Sequence, residues 1–155
     1  MHSVLFVCTG NQYRSPIAAE AFRGQLIRHG RGELWQVGSA GTWTSPGYRV
    51  PADAVELARS FGINIEGHIT HMINAQMLEH ANLVLVMEEG HKESIQIEFP
   101  FARKKVYLLS QVVEGLVYDI PDPASARGEA RNIIRDLVEM IRTGYENIYR
   151  MVEPI

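Results

Sequence analysis

Residues 7 to 16 read VCTGNQYRSP, placing the one cysteine of the chain, Cys8, six positions before Arg14. Small and polar residues fill most of the interval: Thr9, Gly10, Asn11 and Gln12, then Tyr13. Gly10 and Asn11 are residue types that tolerate positive φ, so the main chain between cysteine and arginine is able to curl and turn successive N–H groups inward. A ring of inward N–H groups at the start of a helix is an anion site. Arg14 adds a planar fork that holds two oxygens of a phosphate-like group at once. A cysteine in that field is expected as the thiolate. A thiolate beneath a bound phosphoryl group is an in-line nucleophile, and the N–H groups and guanidinium stabilise the charge spreading over the equatorial oxygens.

The spacing alone is weak. A bare C-x5-R arises by chance, and a lone cysteine after an apolar run is more often a small buried residue. The glycine, the asparagine, the apolar run before and the Ser-Pro after raise its value. A Walker A loop is excluded, because the chain contains no G-K-[ST]. Cysteinyl phosphate chemistry also needs an acid for the departing oxygen and then a base for the attacking water. YDIPDPA, residues 118 to 124, offers Asp119 and Asp122 in a proline-stiffened loop. Taken alone that segment reads as an ordinary turn; beside the cysteine–arginine loop it reads as the proton donor.

The elements that must position these groups follow from the apolar pattern. Four short runs predict strands at Ser3 to Val7, Leu34 to Gly38, Asn82 to Met87 and Lys105 to Leu109. They are nearly continuous in apolar character, as expected for strands covered on both faces. Helices are predicted between them: Pro16 to His29, with Ser15 as N-cap and Pro16 at the first helical position, then Pro51 to Phe61. Short helical turns are expected at Asn74 to His80 and Gly90 to Ile97. A long helix is expected from Ala126 to Tyr149, with Ala130, Ile133, Ile134, Leu137, Val138 and Ile141 on one face. Strands alternating with helices predict an α/β fold, three layers with a central four-stranded parallel sheet. Ligands in such sheets bind outside the carboxyl ends of the strands, and Cys8 stands at such an end.

A length of 155 residues fits one domain, 1–155, and suffices to bury a core. The net charge of -3 argues against a general nucleic-acid partner. The longest apolar stretch, NLVLVM, is too short to cross a membrane, and the amino terminus does not read as a signal peptide. A single cysteine forms no internal disulfide, and a reducing cytoplasm is the default location. His68 and His71, three apart, read as a surface pair rather than a metal site, so no metal is expected.

Taken together, the residues resemble the low-molecular-weight protein tyrosine phosphatases along nearly the whole chain. VLFVCTGNQYRSPIAAEAF resembles the family's first strand, phosphate loop and first helix; VGSAGT (37–42), FGINIEGH (61–68), LVLVMEE and DIPDP follow in the family's order. The resemblance implies Cys8 as nucleophile forming a phosphocysteine, Arg14 as phosphate ligand, and Asp122 as general acid and then base. It implies substrate contact along the loop through Thr9, Gly10, Asn11, Gln12, Tyr13 and Ser15. Asn11 would hold a left-handed turn, Ser15 would bond the thiolate, and His68 and Ser39 would support the loop through Asn11. No cofactor is implied. The substrate would be a phosphotyrosine-containing protein or a small aryl phosphate, met by a monomer with no nucleic-acid or membrane partner.

Departures from the pattern bear on specificity and redox chemistry. The family usually reads C-x-G-N-aliphatic-C-R-S, whereas this chain has Gln12 and Tyr13, so no second cysteine shields Cys8 from oxidation. Ala124 and Ser125 stand where many members carry aromatic residues, with Trp43, Tyr48 or Tyr13 as alternative walls, and His71 replaces a frequent arginine. Two other enzyme readings remain: a protein arginine phosphatase, and an arsenate reductase relying on an external thiol. A phosphate-binding module without turnover is disfavoured by Asp122.

Overall fold

The apolar runs pair side by side as four parallel strands: β1 (His2–Cys8), β2 (Trp35–Gly41), β3 (Leu83–Val86) and β4 (Val106–Leu108). Their order is β2-β1-β3-β4, so the α/β reading holds. The computed structural model describes residues 1–126 and 128–153. Helices are α1 (Arg14–Arg28), α2 (Ala52–Arg59), α3 (Ala75–His80), α4 (Glu89–Glu98), α5 (Leu109–Glu114) and α6 (Ala130–Val152). Side chains of β1 alternate between the two faces. Val4, Phe6 and Cys8 meet Ile17, Phe22, Ile134 and Leu137 of α1 and α6; Leu5 and Val7 meet Leu78 and Ile95 of α3 and α4. Both faces are covered, which is why the strands read as continuous apolar runs rather than alternating ones. No helix among the described residues is long and apolar enough to cross a membrane.

The chain leaves β1 in one direction to reach β2 and returns across it to build β3 and β4. That reversal opens a crevice at the carboxyl ends of β1 and β3. The loop from Thr9 to Tyr13 leaves β1 into this crevice, and Glu88 follows β3 into the same space.

Element boundaries differ from expectation where local chemistry serves the loop. α1 opens at Arg14, not Pro16, and Tyr13 takes the cap position with no side-chain cap bond. Ser15 is therefore inside the helix, and its hydroxyl is used elsewhere. β2 runs three residues past the expected Gly38, because Ser39, Ala40 and Gly41 continue the ladder until Gly41 pairs with Cys8. α6 begins at Ala130 rather than Ala126; Arg127 lies outside the described residues. α5 and two 3-10 turns, Gly32–Leu34 and Pro100–Lys105, are too short to leave a periodic signal.

Gly41 is the close-approach point between β2 and the loop. A Cβ there would lie 2.5 Å from the carbonyl oxygen of Thr9 and 3.2 Å from Cβ of Asn11. Gly38 on the same strand has only an ordinary 3.5 Å contact with Leu5. Gly41→Ala is therefore expected to destabilise the chain by about 1–3 kcal/mol in urea unfolding, the usual range for overpacking. Gly38→Ala should change it by much less. Equal effects would contradict the close approach.

Candidate active site

Asn11 sits at the centre of the loop with φ +57, the one non-glycine residue at positive φ among those described, and it is fully buried. The left-handed conformation costs an ordinary residue about 1–2 kcal/mol and is tolerated best by asparagine after glycine. Its amide is then completely engaged. Oδ1 accepts from the backbone N–H of His71 at 2.9 Å and from Nε2 of His68 at 3.1 Å; that same ring nitrogen also reaches the Asn11 carbonyl at 3.0 Å. Nδ2 donates to the hydroxyls of Ser15 at 2.8 Å and Ser39 at 3.0 Å.

This pattern sets the direction of the next bond. Ser15 receives a hydrogen from Asn11, so its own hydroxyl hydrogen goes to Sγ of Cys8, 3.0 Å away, in preference to the more distant Ala40 carbonyl at 3.4 Å. Cys8 is 2% exposed at the carboxyl end of β1. His68 faces two acceptors and so carries its proton on Nε2; burial, the larger cause, and nearby His71 lower its pKa. None of the backbone N–H groups from Thr9 to Ser15 donates to a described residue. Thr42 and Trp43 instead donate to the loop's outward carbonyls of Cys8 and Thr9, at 2.9 and 3.0 Å. The carbonyls of Cys8 and Thr9 are thus satisfied from the side of β2, while the loop N–H groups are left for an anion.

Arg14 closes the loop from the other side. Only 2% exposed, it donates from Nη1 to Oε2 of Glu88 at 2.5 Å and to the carbonyl of Ile120 at 2.7 Å. Both hydrogens of Nη1 are thereby spent on the scaffold, leaving the Nε–Nη2 edge for a ligand. Glu88 is a residue that sequence reasoning missed as a functional partner. A buried guanidinium demands an acid, but nothing in the spacing selects this one among the acidic residues.

His91 is the second residue missed. Its Nδ1 accepts the backbone N–H of Glu88 at 3.1 Å, so Nε2 bears the proton and donates to Oγ1 of Thr9 at 2.7 Å. One imidazole thus joins the start of α4 to the first residue of the loop. Burial and the charge of Arg14 press its pKa down to about 4, against the opposing pull of Glu88, Asp119 and Asp122.

The late loop is stitched to the same framework. Ile120 donates its N–H to the Met87 carbonyl at 2.9 Å, and Asp119 accepts from the N–H of Glu89 at 2.8 Å. Asp119 is therefore committed to α4. Asp122 stands next to the crevice, its charge acting on Tyr13 and His91. Its Oδ1 accepts from the Ala124 N–H at 3.0 Å, which leaves Oδ2 for a proton. Tyr13 is not a free wall: its hydroxyl donates to Asp53 on α2 at 3.0 Å, and burial with that bond raises its pKa to about 12. Trp43 and Tyr48 are 81% and 63% exposed and are not packing residues. Gly10 and Gln12 are half-buried at the loop's rim. Of the expected surface pair, His68 is half-buried and bonds Asn11 through its ring, whereas the His71 side chain is exposed and only its backbone N–H reaches Asn11. No cluster of three metal-ligating side chains occurs among the described residues.

A sulfur at the floor of an N–H-lined loop, closed by a buried guanidinium, defines a phosphatase of the cysteine-dependent class. The low molecular weight phosphotyrosine protein phosphatase model matches residues 3–153, and the chain belongs to that family. It is 36% identical over 137 residues to a Klebsiella pneumoniae protein named as a low molecular weight protein-tyrosine-phosphatase, covering 88% of this chain and 90% of that one. It is 32% identical over 147 residues to a protein-arginine-phosphatase of Bacillus subtilis, covering 90% and 96%. Among solved structures, the arginine phosphatase YwlE, as a cysteine-to-serine mutant with phosphorylated active-site serine, superposes with a TM-score of 0.87 at 30% identity, covering 96% of each chain.

His91 makes acid sensitivity a test of this geometry. Its folded pKa lies below the ordinary 6.5, so the unfolded chain binds the extra proton between those values. The stability it contributes is complete above pH 6.5 and is lost as pH falls toward about 4. The urea midpoint should fall over that window, and His91→Asn should flatten the fall. An unchanged slope in the variant would place the proton uptake elsewhere.

Proposed function

We propose that the chain hydrolyses phosphotyrosine in proteins, and small aryl phosphates, through Cys8, Arg14 and Asp122. The observation that carries this reading is the direction of the hydrogen bonds around the loop. Asn11 orients Ser15, whose hydroxyl faces Sγ, and the unpaired loop N–H groups are left to present positive charge around the same sulfur. A phosphoryl dianion docks there against the Nε–Nη2 edge of Arg14 and the start of α1. The thiolate of Cys8 attacks phosphorus, a sulfur–phosphorus bond forms, and the ester oxygen leaves with the proton held on Asp122. The Asp122 carboxylate then takes a proton from water, which attacks the phosphocysteine and releases phosphate with the thiolate restored. The phosphorylated serine of the YwlE mutant supports a covalent intermediate of this kind.

The reading takes residues 1–155 as one catalytic domain, working as a monomer in the cytoplasm. Loop residues Thr9, Gly10, Gln12 and Tyr13 frame the entrance, while Ser39 and His68 act through Asn11. A second reading, phosphoarginine as substrate, is favoured by the likeness to protein-arginine-phosphatases in sequence and structure. Chemistry at sulfur would be the same, with nitrogen in place of oxygen as the leaving atom.

Side-by-side turnover of phosphotyrosine and phosphoarginine peptides, without added metal, decides the substrate. Cys8→Ser should abolish phosphate release in either case. Asp122→Asn should lower kcat by about 10²–10⁴-fold, and by less for an aryl phosphate whose phenol leaves easily. Turnover retained in Cys8→Ser would refute the mechanism.

A further inference from the structure

A groove of about 600 Å³ beside the loop is lined by Tyr13, Asp53, Leu57, Pro123, Ala124 and Arg131, with Tyr13 bonded to Asp53 near the start of α2 and Arg131 bonded to Ser60 at its far end. Tyr13 precedes Arg14 in the phosphate loop and Pro123 follows Asp122, so the groove starts at the mouth of the active site. We propose that it binds the protein substrate's own chain, and that Arg131 selects an acidic side chain about three residues from the phosphorylated one. This rests on the phosphoprotein reading above.

The two ends of the groove carry residues of opposite charge. Asp53 at the inner end is occupied by the Tyr13 hydroxyl at 3.0 Å. Arg131 at the outer end is exposed and held by neutral groups: its guanidinium lies 5.0 Å over the ring of Phe61, and Nη1 donates to Oγ of Ser60 at 3.4 Å. It makes no salt bridge among the described residues. Its position is also costly to the helix. Arg131 is the second residue of α6, 23 residues long, whose first turn holds no acidic residue. A cation there opposes the helix dipole, where an acid would be favoured. A cation held in place, without a partner and against the helix, is accounted for by a carboxylate that arrives with the substrate. The amino-terminal N–H groups of α6 add to the same attraction.

The separation sets the register. Asp53 and Ser60 are seven residues apart along α2 and its cap, which at 1.5 Å per residue is about 10 Å. An extended peptide advances about 3.3 Å per residue, so roughly three residues span from Tyr13 to Arg131. Leu57, Pro123 and Ala124 give the intervening residues an apolar surface.

The test uses phosphotyrosine peptides in which one glutamate is moved through the three positions on either side, with alanine elsewhere. The expected result is a kcat/KM preference of fivefold or more for glutamate at about the third position on one side, carried by KM. Arg131→Gln should remove that preference and leave phenyl phosphate turnover within twofold. Arg131→Glu should reverse it toward lysine. No glutamate preference at any position, or a preference that survives Arg131→Gln, would overturn the proposal. Binding of the same peptides to Cys8→Ser, read by fluorescence anisotropy, tests the groove apart from turnover: equal affinities for glutamate and alanine peptides would overturn it. An inactive wild-type chain would instead count against the functional reading alone.

Discussion

One asparagine in a left-handed turn is the constraint on which the site depends. Asn11 bends the chain so that the N–H groups face inward, and its amide spends every bonding position on keeping that bend. A buried side-chain amide that lost one partner would leave a polar group without water or protein to bond. The bend and its bonding are therefore a single cooperative unit. It polarises in one sense, from the His71 backbone and His68 ring through Asn11 and Ser15 to the sulfur. Neither Gly41 nor β2's extra length makes sense apart from this unit, since both bring Ser39 and the His68–His71 segment alongside the loop.

The opposite wall works by a different principle. Arg14 is an ion held in the interior, and such a charge is tolerated only when paired and bonded. Glu88 and the Ile120 carbonyl meet that need on one nitrogen and in doing so fix the plane of the guanidinium. His91 then ties Thr9 to the helix that begins just after Glu88. The loop is braced at its first residue by an imidazole, at its middle by an amide and at its end by an ion pair.

Much of this was legible in the sequence, and the reasons for the gaps are physical. Parallel strands buried on both faces leave continuous apolar runs, so the sheet could be read directly. The loop was legible because few residue types permit its geometry: glycine, asparagine and arginine at those positions leave little choice. Ser15 lies beside the sulfur and inside α1 rather than at its cap, because a serine before proline satisfies both patterns. Ser39, Ala40 and Gly41 fall beyond the expected strand since small residues carry no strand signal, although tertiary contact makes them strand. Glu88 and His91 stayed hidden because their roles come from distances between segments far apart in the chain. The tether of Tyr13 to Asp53 is likewise a contact over forty positions, invisible to any local pattern.

The bracing has a consequence for how the protein comes to be. Partners of the loop lie at residues 39 to 43, 68 to 71, 88 to 91 and 120, so no short fragment carries the site. Ordering it demands that distant stretches first be brought together at an entropic cost, the kind of long-range assembly that folds slowly. A nascent or partly collapsed chain accordingly holds its sulfur in an unshaped loop, inert toward phosphate esters. Reactivity arrives only with the finished tertiary structure.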